Sequence, residues 1–244
     1  MKAIRLSVLS IIMLFAYTSS VKAQDADEIL KKHEKAVGGL ENWNKIKTIT
    51  KAGSLSAQGM DITITECLDI NNALRMDFSV MGMSGYQIVT TKNGYMLQPG
   101  PGQPKIDTMP PEVLKMAQQQ LDEKNTQFLD YKTKGSKVEY TGNDSVDNTP
   151  CYKIKITDKD GNEATAYFDV STYYLLRTAQ MVKQENQEQE VIINFKDYNK
   201  LAEGVVMPMS VTTAMGEIVF KSIEINKPID EKIFIPILPS AAGK

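Results

Sequence analysis

The chain has 244 residues, of which 28 are basic and 30 acidic, for a formal net charge of −2. This slight acidity excludes the strongly basic surface of a typical nucleic-acid-binding protein, so we predict no nucleic-acid partner. The length is sufficient for a domain with a substantial core.

The first segment has the layout of a secretory signal peptide. Lys2 and Arg5 form a short basic start, an apolar run follows at residues 6–17, and small residues end the segment. That run is too short for the roughly 20 residues of a membrane-spanning helix. We therefore expect cleavage before Gln24, where no cysteine is present to take a lipid, and export of a soluble protein to the periplasm.

We interpret residues 1–23 as the signal peptide and residues 24–244 as a single domain, because no Pro/Gly/Ser-rich linker divides the remainder. Two cysteines, Cys67 and Cys151, remain after cleavage. In an oxidising compartment they either form a disulfide or stay as two isolated thiols, and the sequence leaves both alternatives open.

The mature chain opens with an amphipathic helix, followed by strands. In the segment 25–37, apolar residues and His33 recur at helical spacing, and Gly38-Gly39 supplies a C-terminal stop. From Thr48 onward the pattern changes to period two, which is typical of strands with one dry face. In "GMDITITECLDI" the even positions are apolar, with Glu66 as the single exception.

The middle of the chain interrupts this meander. The stretch 98–111 contains five prolines, and we predict no regular element there. An amphipathic helix then begins at the last two prolines, after which alternating strands resume. The sequence predicts a mainly β (α+β) fold, in which a curved antiparallel sheet of about eleven strands forms an unclosed barrel with helices covering its concave face.

Motifs for catalysis and metal binding are not found. The sequence has no H-E-x-x-H, no P-loop and no G-x-G-x-x-G, and "GMSGY" around Ser84 misses the spacing of a nucleophile elbow. The single histidine, His33, is interpreted as an ordinary helix-surface residue, and Asp158 and Asp160 as part of a hairpin turn rather than a calcium loop. We therefore expect a non-enzymatic protein without metal or cofactor.

Several stretches resemble outer-membrane lipoprotein-sorting proteins, which belong to the superfamily of periplasmic lipoprotein carriers of Gram-negative bacteria. The resemblance lies in "AVGGLENWNKIKTI", "YQIVTTKNGYMLQPGPG", "DGNEATAYFDVSTYYLLR", "FKDYNKLAEGVVMPMSV" and "IEINKPIDEKIF". It covers most of the mature chain and implies an unclosed barrel whose apolar hollow, covered by helices, receives acyl chains of lipoproteins or other lipids.

The resemblance also implies roles for particular residues. An arginine on an early strand holds the lid closed in such carriers, and Arg75 in "NALRMDF" is the candidate latch here. The expected wall of the acyl-chain cavity consists of Met76, Phe78, Val80, Met83, Tyr86, Ile88, Tyr95 and Leu97. The expected lid residues are Leu114, Ala117 and Leu121. Transport partners at the inner and outer membranes are implied as well.

The many methionines allow two interpretations. Their pliable side chains can repack around ligands of varying shape, or they can simply fill an awkward core beneath a curved sheet. The preferred hypothesis is a periplasmic carrier of acyl chains. The alternatives are a protein-binding or envelope-stress sensor module on the same scaffold without a lipid ligand, and an exported hydrolase with an unrecognised site.

Overall fold

The computed structural model describes residues 18–57, 59–100, 104–184 and 187–238. These residues form two compact units. The first unit contains the described parts of Met1–Ala36 and Tyr131–Ile192, and the second those of Val37–Asp130 and Ile193–Lys244. Within the described part of the chain, no helix combines the length and apolar character needed to cross a membrane.

The second unit holds three helices, two 3₁₀ turns and most of the strands. Its helices are α2 (Leu40–Trp43), α3 (Pro111–Gln118) and α4 (Glu123–Thr126), and its 3₁₀ turns are Gln119–Leu121 and Glu231–Phe234. Its strands are β1 (Thr48–Ala57), β2 (Met60–Asp69), β3 (Ala73–Val80), β4 (Met83–Thr90), β5 (Gly94–Leu97), β6 (Ile106–Thr108), β12 (Val206–Thr213) and β13 (Gly216–Ile225).

The first unit contains one long helix and four strands. These are α1 (Thr18–Ala36), β7 (Lys137–Val146), β8 (Thr149–Thr157), β9 (Glu163–Asp169) and β10 (Leu175–Gln184). Strand β11 (Gln187–Lys200) begins in this unit and ends in the second.

The strands confirm the predicted fold class. Hydrogen bonding orders them β6-β5-β4-β3-β2-β1-β13-β12-β11-β10-β9-β8-β7. The pairs with a defined register are antiparallel, for example β1 with β2 and β7 with β8. The described residues therefore form a mainly β protein with an antiparallel sheet that does not close. It has thirteen strands rather than about eleven.

The strand pattern is weakest in β1 and β6, and each has a local reason for this. In β1 the inward positions include Lys51 and Gly53, which break the apolar alternation that marks a strand. Strand β6 lies inside the proline-rich stretch and consists of three residues that pair with β5. Both strands form because they pair with neighbouring strands, β1 with β2 and β13 and β6 with β5, and not because of their own sequence pattern.

His33 is buried, which corrects the prediction of a helix-surface histidine. Its side chain has 0% exposure, its ring lies 4.8 Å from that of Phe168, and its Nδ1 is 2.8 Å from the carbonyl oxygen of Tyr173. A carbonyl can only accept a hydrogen bond, so Nδ1 carries the proton in this contact. The histidine thus continues the apolar stripe of α1 and is part of the packing of the first unit.

The turn prediction around Asp158 is confirmed. Its Oδ1 accepts hydrogen bonds of 2.8 Å from the backbone N–H groups of Asp160 and Asn162. The structure does not test the predicted signal peptide. Residues 1–17 lie outside the described residues, and residues 18–23 form the start of α1. Cleavage and the single-domain organisation stay predictions.

Candidate functional site

The sheet of the second unit has one face that the helices cover, which we call the apolar face. Alternation along β3 places Leu74, Met76, Phe78 and Val80 on this face. Cross-strand pairing extends it to Ile64, Glu66 and Leu68 of β2 and then to Ile49, Lys51, Gly53 and Leu55 of β1. Apart from the glycine and the two charged residues, the face is built of large apolar side chains.

The register divides the predicted cavity wall between the two faces of the sheet. Val80 pairs with Met83, so Met76, Phe78, Val80 and Met83 all belong to the apolar face. Tyr86 pairs with Asp77 and Leu97, and Ile88 pairs with Arg75 and Tyr95, so Tyr86, Ile88, Tyr95 and Leu97 lie on the opposite face. The eight residues therefore do not line one surface.

Residues 109–126, which we call the lid segment, pack on the apolar face at the end where β4 turns into β5. A methyl group added to Gly94 would lie 2.5 Å from Met109 Sδ and 2.9 Å from Leu114 Cδ1, so these two side chains occupy the space above the glycine. Of the predicted lid residues, Ala117 and Leu121 are buried and Leu114 is half-buried. The absence of a Cβ at position 94 is what allows the lid to approach the strand this closely.

Exposure along the apolar face rises with distance from the helices. At the covered end Ile49 and Leu68 are 0% exposed, whereas at the other end Met60 is 41% and Met83 37% exposed. Phe78 and Val80 lie between these extremes and are half-buried. The face is therefore an apolar surface that is closed by helices at one end and open at the other.

A buried ion cluster joins the sheet to α4 on this same face. Lys51 Nζ lies 3.0 Å from Glu66 Oε1 on the neighbouring strand and 3.3 Å from both carboxylate oxygens of Glu123. The three side chains are 9 to 15% exposed. The ammonium group also lies 5.8 Å from the ring centroid of Phe220. We call these three residues the Lys51 cluster.

The charges of the Lys51 cluster are unequal, since one ammonium group faces two carboxylates. Burial alone would lower the pKa of Lys51, but the negative charges of Glu123 and Glu66 outweigh it and raise that pKa. Burial raises the pKa of Glu123, the attraction of Lys51 offsets this in part, and the like charge of Glu66 adds to it. Lys51 thus stays charged, while Glu123 retains a proton to a higher pH than an exposed glutamate.

Arg75 lies on the opposite face and contacts the C-terminal segment instead of the lid. Its Nε and Nη2 donate to the two carboxylate oxygens of Asp77 at 2.7 and 2.6 Å, and its Nη1 donates to the carbonyl oxygen of Ile233 at 2.7 Å. The hydroxyl of Tyr86 donates to the carbonyl oxygen of Ile237 at 3.0 Å. The predicted latch therefore contacts the segment after β13, whereas the contacts between the lid segment and the sheet include the ion pair of Lys51 with Glu123 and the hydrogen bond from Gln118 Nε2 to the carbonyl oxygen of Thr90.

A groove of about 450 Å³ runs beside this C-terminal segment. Its lining consists of Cys67, Arg75, Asp77, Lys232, Ile233 and Ile237. Cys67 is a free thiol here, as is Cys151 in the first unit. Burial raises the pKa of the Cys67 thiol, and the groove thus presents a guanidinium already paired with Asp77 and a thiol that resists ionisation.

The Lys51 cluster was not predicted from sequence, although one signal for it was present. Glu66 interrupts an otherwise regular apolar alternation, and a charged residue on a dry face requires a partner of opposite charge. The sequence does not identify that partner, because Lys51 and Glu123 are brought to Glu66 by strand pairing and by the position of α4. No group of three or more His, Cys, Asp or Glu side chains suited to a metal ion occurs among the described residues.

The fold can be compared with known proteins. No protein-family model matches the chain, and no curated protein matches its sequence. Among solved structures, an outer membrane lipoprotein-sorting protein domain from Vibrio parahaemolyticus superposes with a TM-score of 0.50 at 10% identity, over 87% of this chain and 97% of that one. A LolA superfamily protein from Nitrosomonas europaea superposes with a TM-score of 0.52 at 11% identity, over 88% and 98% of the respective chains.

At identities this low, the superpositions show a shared fold and leave the cargo and partners open. Both matches extend over nearly the whole of the other chain, so the likeness includes the sheet and is not limited to one motif. The chain therefore has the fold of the lipoprotein-sorting protein domain and of the LolA superfamily protein with which it superposes.

Proposed function

We propose that this protein is a non-enzymatic periplasmic carrier that binds acyl chains of lipoproteins or other lipids on the open part of the apolar face. The observation that carries the proposal is the gradient of exposure along that face, from fully buried Ile49 and Leu68 to Met60 at 41%. A continuous apolar surface that opens toward solvent at one end suits a chain-like hydrocarbon ligand.

The cargo would lie against the half-buried side chains at the centre of this face. Phe78 packs over Gly85, where an added methyl group would be 2.7 Å from Cε2 of the Phe78 ring. Each methylene group that leaves water on such a surface contributes about 0.8 kcal/mol. Met76 and Met83 on the same face can adjust to chains of different shape.

A cargo chain that extends under the helices requires that the covered end can open. The Lys51 cluster is the polar connection between α4 and the sheet, and its net negative charge makes the connection sensitive to a proton. The predicted lid residues Leu114, Ala117 and Leu121 contribute apolar contacts, which are readily re-formed. We therefore propose that the moving element of the carrier is formed by residues 109–126.

The experiment that tests the proposal is a binding measurement on protein purified from a periplasmic fraction, with N-terminal sequencing expected to begin at Gln24. Native mass spectrometry and lipid extraction identify copurified lipid, and a fluorescent fatty acid gives the affinity. Val80→Asp introduces a charge on the apolar face and is expected to abolish binding. Ser79→Asp introduces the same charge on the opposite face of the same strand and is the matched control.

Two outcomes would contradict the carrier proposal. One is a folded protein that contains no lipid and does not bind fluorescent fatty acids. The other is an equal loss of binding in Val80→Asp and Ser79→Asp, which would show that the apolar face is not the binding surface. Circular dichroism and urea denaturation of both variants establish that they are folded.

A second candidate function is a partner-binding module, which three exposed residues of the C-terminal segment favour. Ile235, Ile237 and Leu238 are 56, 62 and 51% exposed. Exposed apolar side chains this close in sequence are typical of a protein interface. A partner that binds the native chain and not an Ile237→Ser/Leu238→Ser variant, together with the absence of lipid binding, would favour this function over the carrier.

A further inference from the structure

Three hairpins of the second unit have their tips at the same end of the sheet. The register pairs Ala57 with Met60, Val80 with Met83 and Thr213 with Gly216, each pair next to its turn. Pairing of β1 with β13 and of β2 with β3 places these turns at neighbouring positions. The six strands involved are consecutive in the sheet and span about 24 Å at the usual strand spacing.

Each of these tips carries exposed methionine. Met81 is 82% exposed, Met215 72%, Met60 41% and Met83 37%. We call these four residues the methionine rim. Large apolar side chains at hairpin tips are unfavourable in contact with water, and turns are usually formed by Gly, Asn, Asp, Ser or Pro.

The methionine rim is continuous with the open end of the apolar face. Met60 and Met83 belong to that face by their register, next to half-buried Val80 and Ile62. Met81 and Met215 lie in the turns beyond the ends of these strands and are the most exposed of the four. A hydrocarbon chain that enters or leaves the face at this end passes between these thioethers.

We propose that the methionine rim is an oxidation site that controls access of acyl chains to the apolar face. The inference rests on the carrier function proposed above. Oxidation to the sulfoxide converts a flexible apolar side chain into a polar one, and it acts on exposed thioethers first. Leucine or phenylalanine would provide an apolar entrance equally well, but methionine alone makes that entrance reactive toward mild oxidants.

The chemistry requires an oxidant such as hypochlorous acid or a peroxide. With hypochlorous acid the thioether sulfur gains an S–O bond and loses two electrons, the O–Cl bond breaks, and chloride and a proton leave. Reduction of the sulfoxide by a methionine sulfoxide reductase restores the thioether. The modification is therefore reversible and needs no change of the backbone.

The test combines peptide mapping with binding. Native protein is treated with increasing hypochlorous acid, and mass spectrometry follows each methionine. Met81 and Met215 should be oxidised before Met207, which is 1% exposed. At the dose that oxidises the rim and spares Met207, the dissociation constant for a fluorescent fatty acid should rise about tenfold, as expected if burial of about two methylene groups is lost.

Two variants assign the effect to the rim, and each is compared with itself before and after treatment. In the first, the four rim methionines are replaced by leucine, and binding should no longer change on oxidation. In the second, Met116 and Met181 are replaced by leucine. These two are 52 and 56% exposed but lie outside the rim, so sensitivity to oxidant should remain.

Three results would overturn the inference. Unchanged affinity with a fully oxidised rim would show that the rim does not control access, and equal sensitivity of the four-leucine variant would place the effect elsewhere. Failure of the untreated protein to bind fatty acid would remove the carrier proposal as well as this one. Binding in untreated protein with no response to rim oxidation refutes the oxidation inference alone.

Discussion

Replacing Lys51 with methionine tests whether the Lys51 cluster holds the lid segment to the sheet. The substitution keeps an unbranched side chain, one atom shorter than that of lysine, and removes the positive charge that faces Glu66 and Glu123. At the observed separations of 3.0 and 3.3 Å, each attraction is about 5 kcal/mol for an effective dielectric constant of 20, before the cost of desolvation. Most of this attraction offsets the removal of the three charged groups from water.

The measurable loss comes from the carboxylates that remain buried without a cation. Breaking a buried pair by removal of one partner costs about 3–5 kcal/mol of folding free energy. With a urea dependence of about 2 kcal/mol/M, the urea midpoint of Lys51→Met should fall by about 2 M. The control is Lys105→Met, which removes an exposed lysine paired with Asp107 and should leave the midpoint unchanged.

The triple variant Lys51→Met/Glu66→Leu/Glu123→Leu distinguishes the charge effect from lost packing. Replacement of a whole buried ion cluster by apolar residues is often neutral or stabilising, so the triple variant should recover most of the loss. Lys51→Met should also approach the wild type in acid, where its two carboxylates become protonated. A triple variant no more stable than Lys51→Met would refute the reasoning and assign the loss to the lysine stem.

Three further predictions use the same urea assay. Burial raises the pKa of Glu123 above its usual value of 4.5, so its protonated form contributes folding stability that is complete below pH 4.5 and is lost as the pH rises through the folded pKa. The urea midpoint of Glu123→Gln should therefore rise relative to that of the wild type over this pH range. The control is Glu112→Gln, at an exposed position, which should show no such relative rise. Gly53→Ala, which drives a methyl group into the backbone of β13, should cost about 1–3 kcal/mol, whereas Gly100→Ala meets nothing within 4 Å and should be neutral. Tyr86→Phe should cost about 1 kcal/mol and speed proteolysis of the C-terminal segment that its hydroxyl holds.

The sequence predicted the strands well because each strand carries its own alternation. In β3 the residues Leu74, Met76 and Phe78 alternate with polar residues, and this pattern depends on burial of one face alone. The fold class followed from counting such segments. Strand β1 has a weaker pattern because Lys51 and Gly53 occupy inward positions. Lys51 pairs with carboxylates on β2 and α4, and Gly53 leaves room for the backbone of β13.

The division of the predicted wall shows what alternation cannot supply. The phase of one strand relative to the next depends on the length of the turn, and the Met81-Gly82 turn pairs Val80 with Met83. This register places each even-numbered residue of β3 opposite an odd-numbered residue of β4. Both faces of β4 are buried, including Tyr86 and Val89, so composition gave no indication of which set faces the lid.

The distribution of side-chain types along the apolar face links packing to the proposed function. At the covered end, the face is made of Ile49, Leu68 and Leu74, whose branched side chains have few rotamers and fit one fixed arrangement under the helices. At the open end the β1–β2 and β3–β4 hairpins present Met60 and Met83, which are pliable and polarisable. A core that needed only to be filled has no reason to place pliable side chains at its exposed edge. A surface that binds different hydrocarbon chains at its open end does have such a reason. The methionine side chains that make this end pliable are also the ones that oxidants modify.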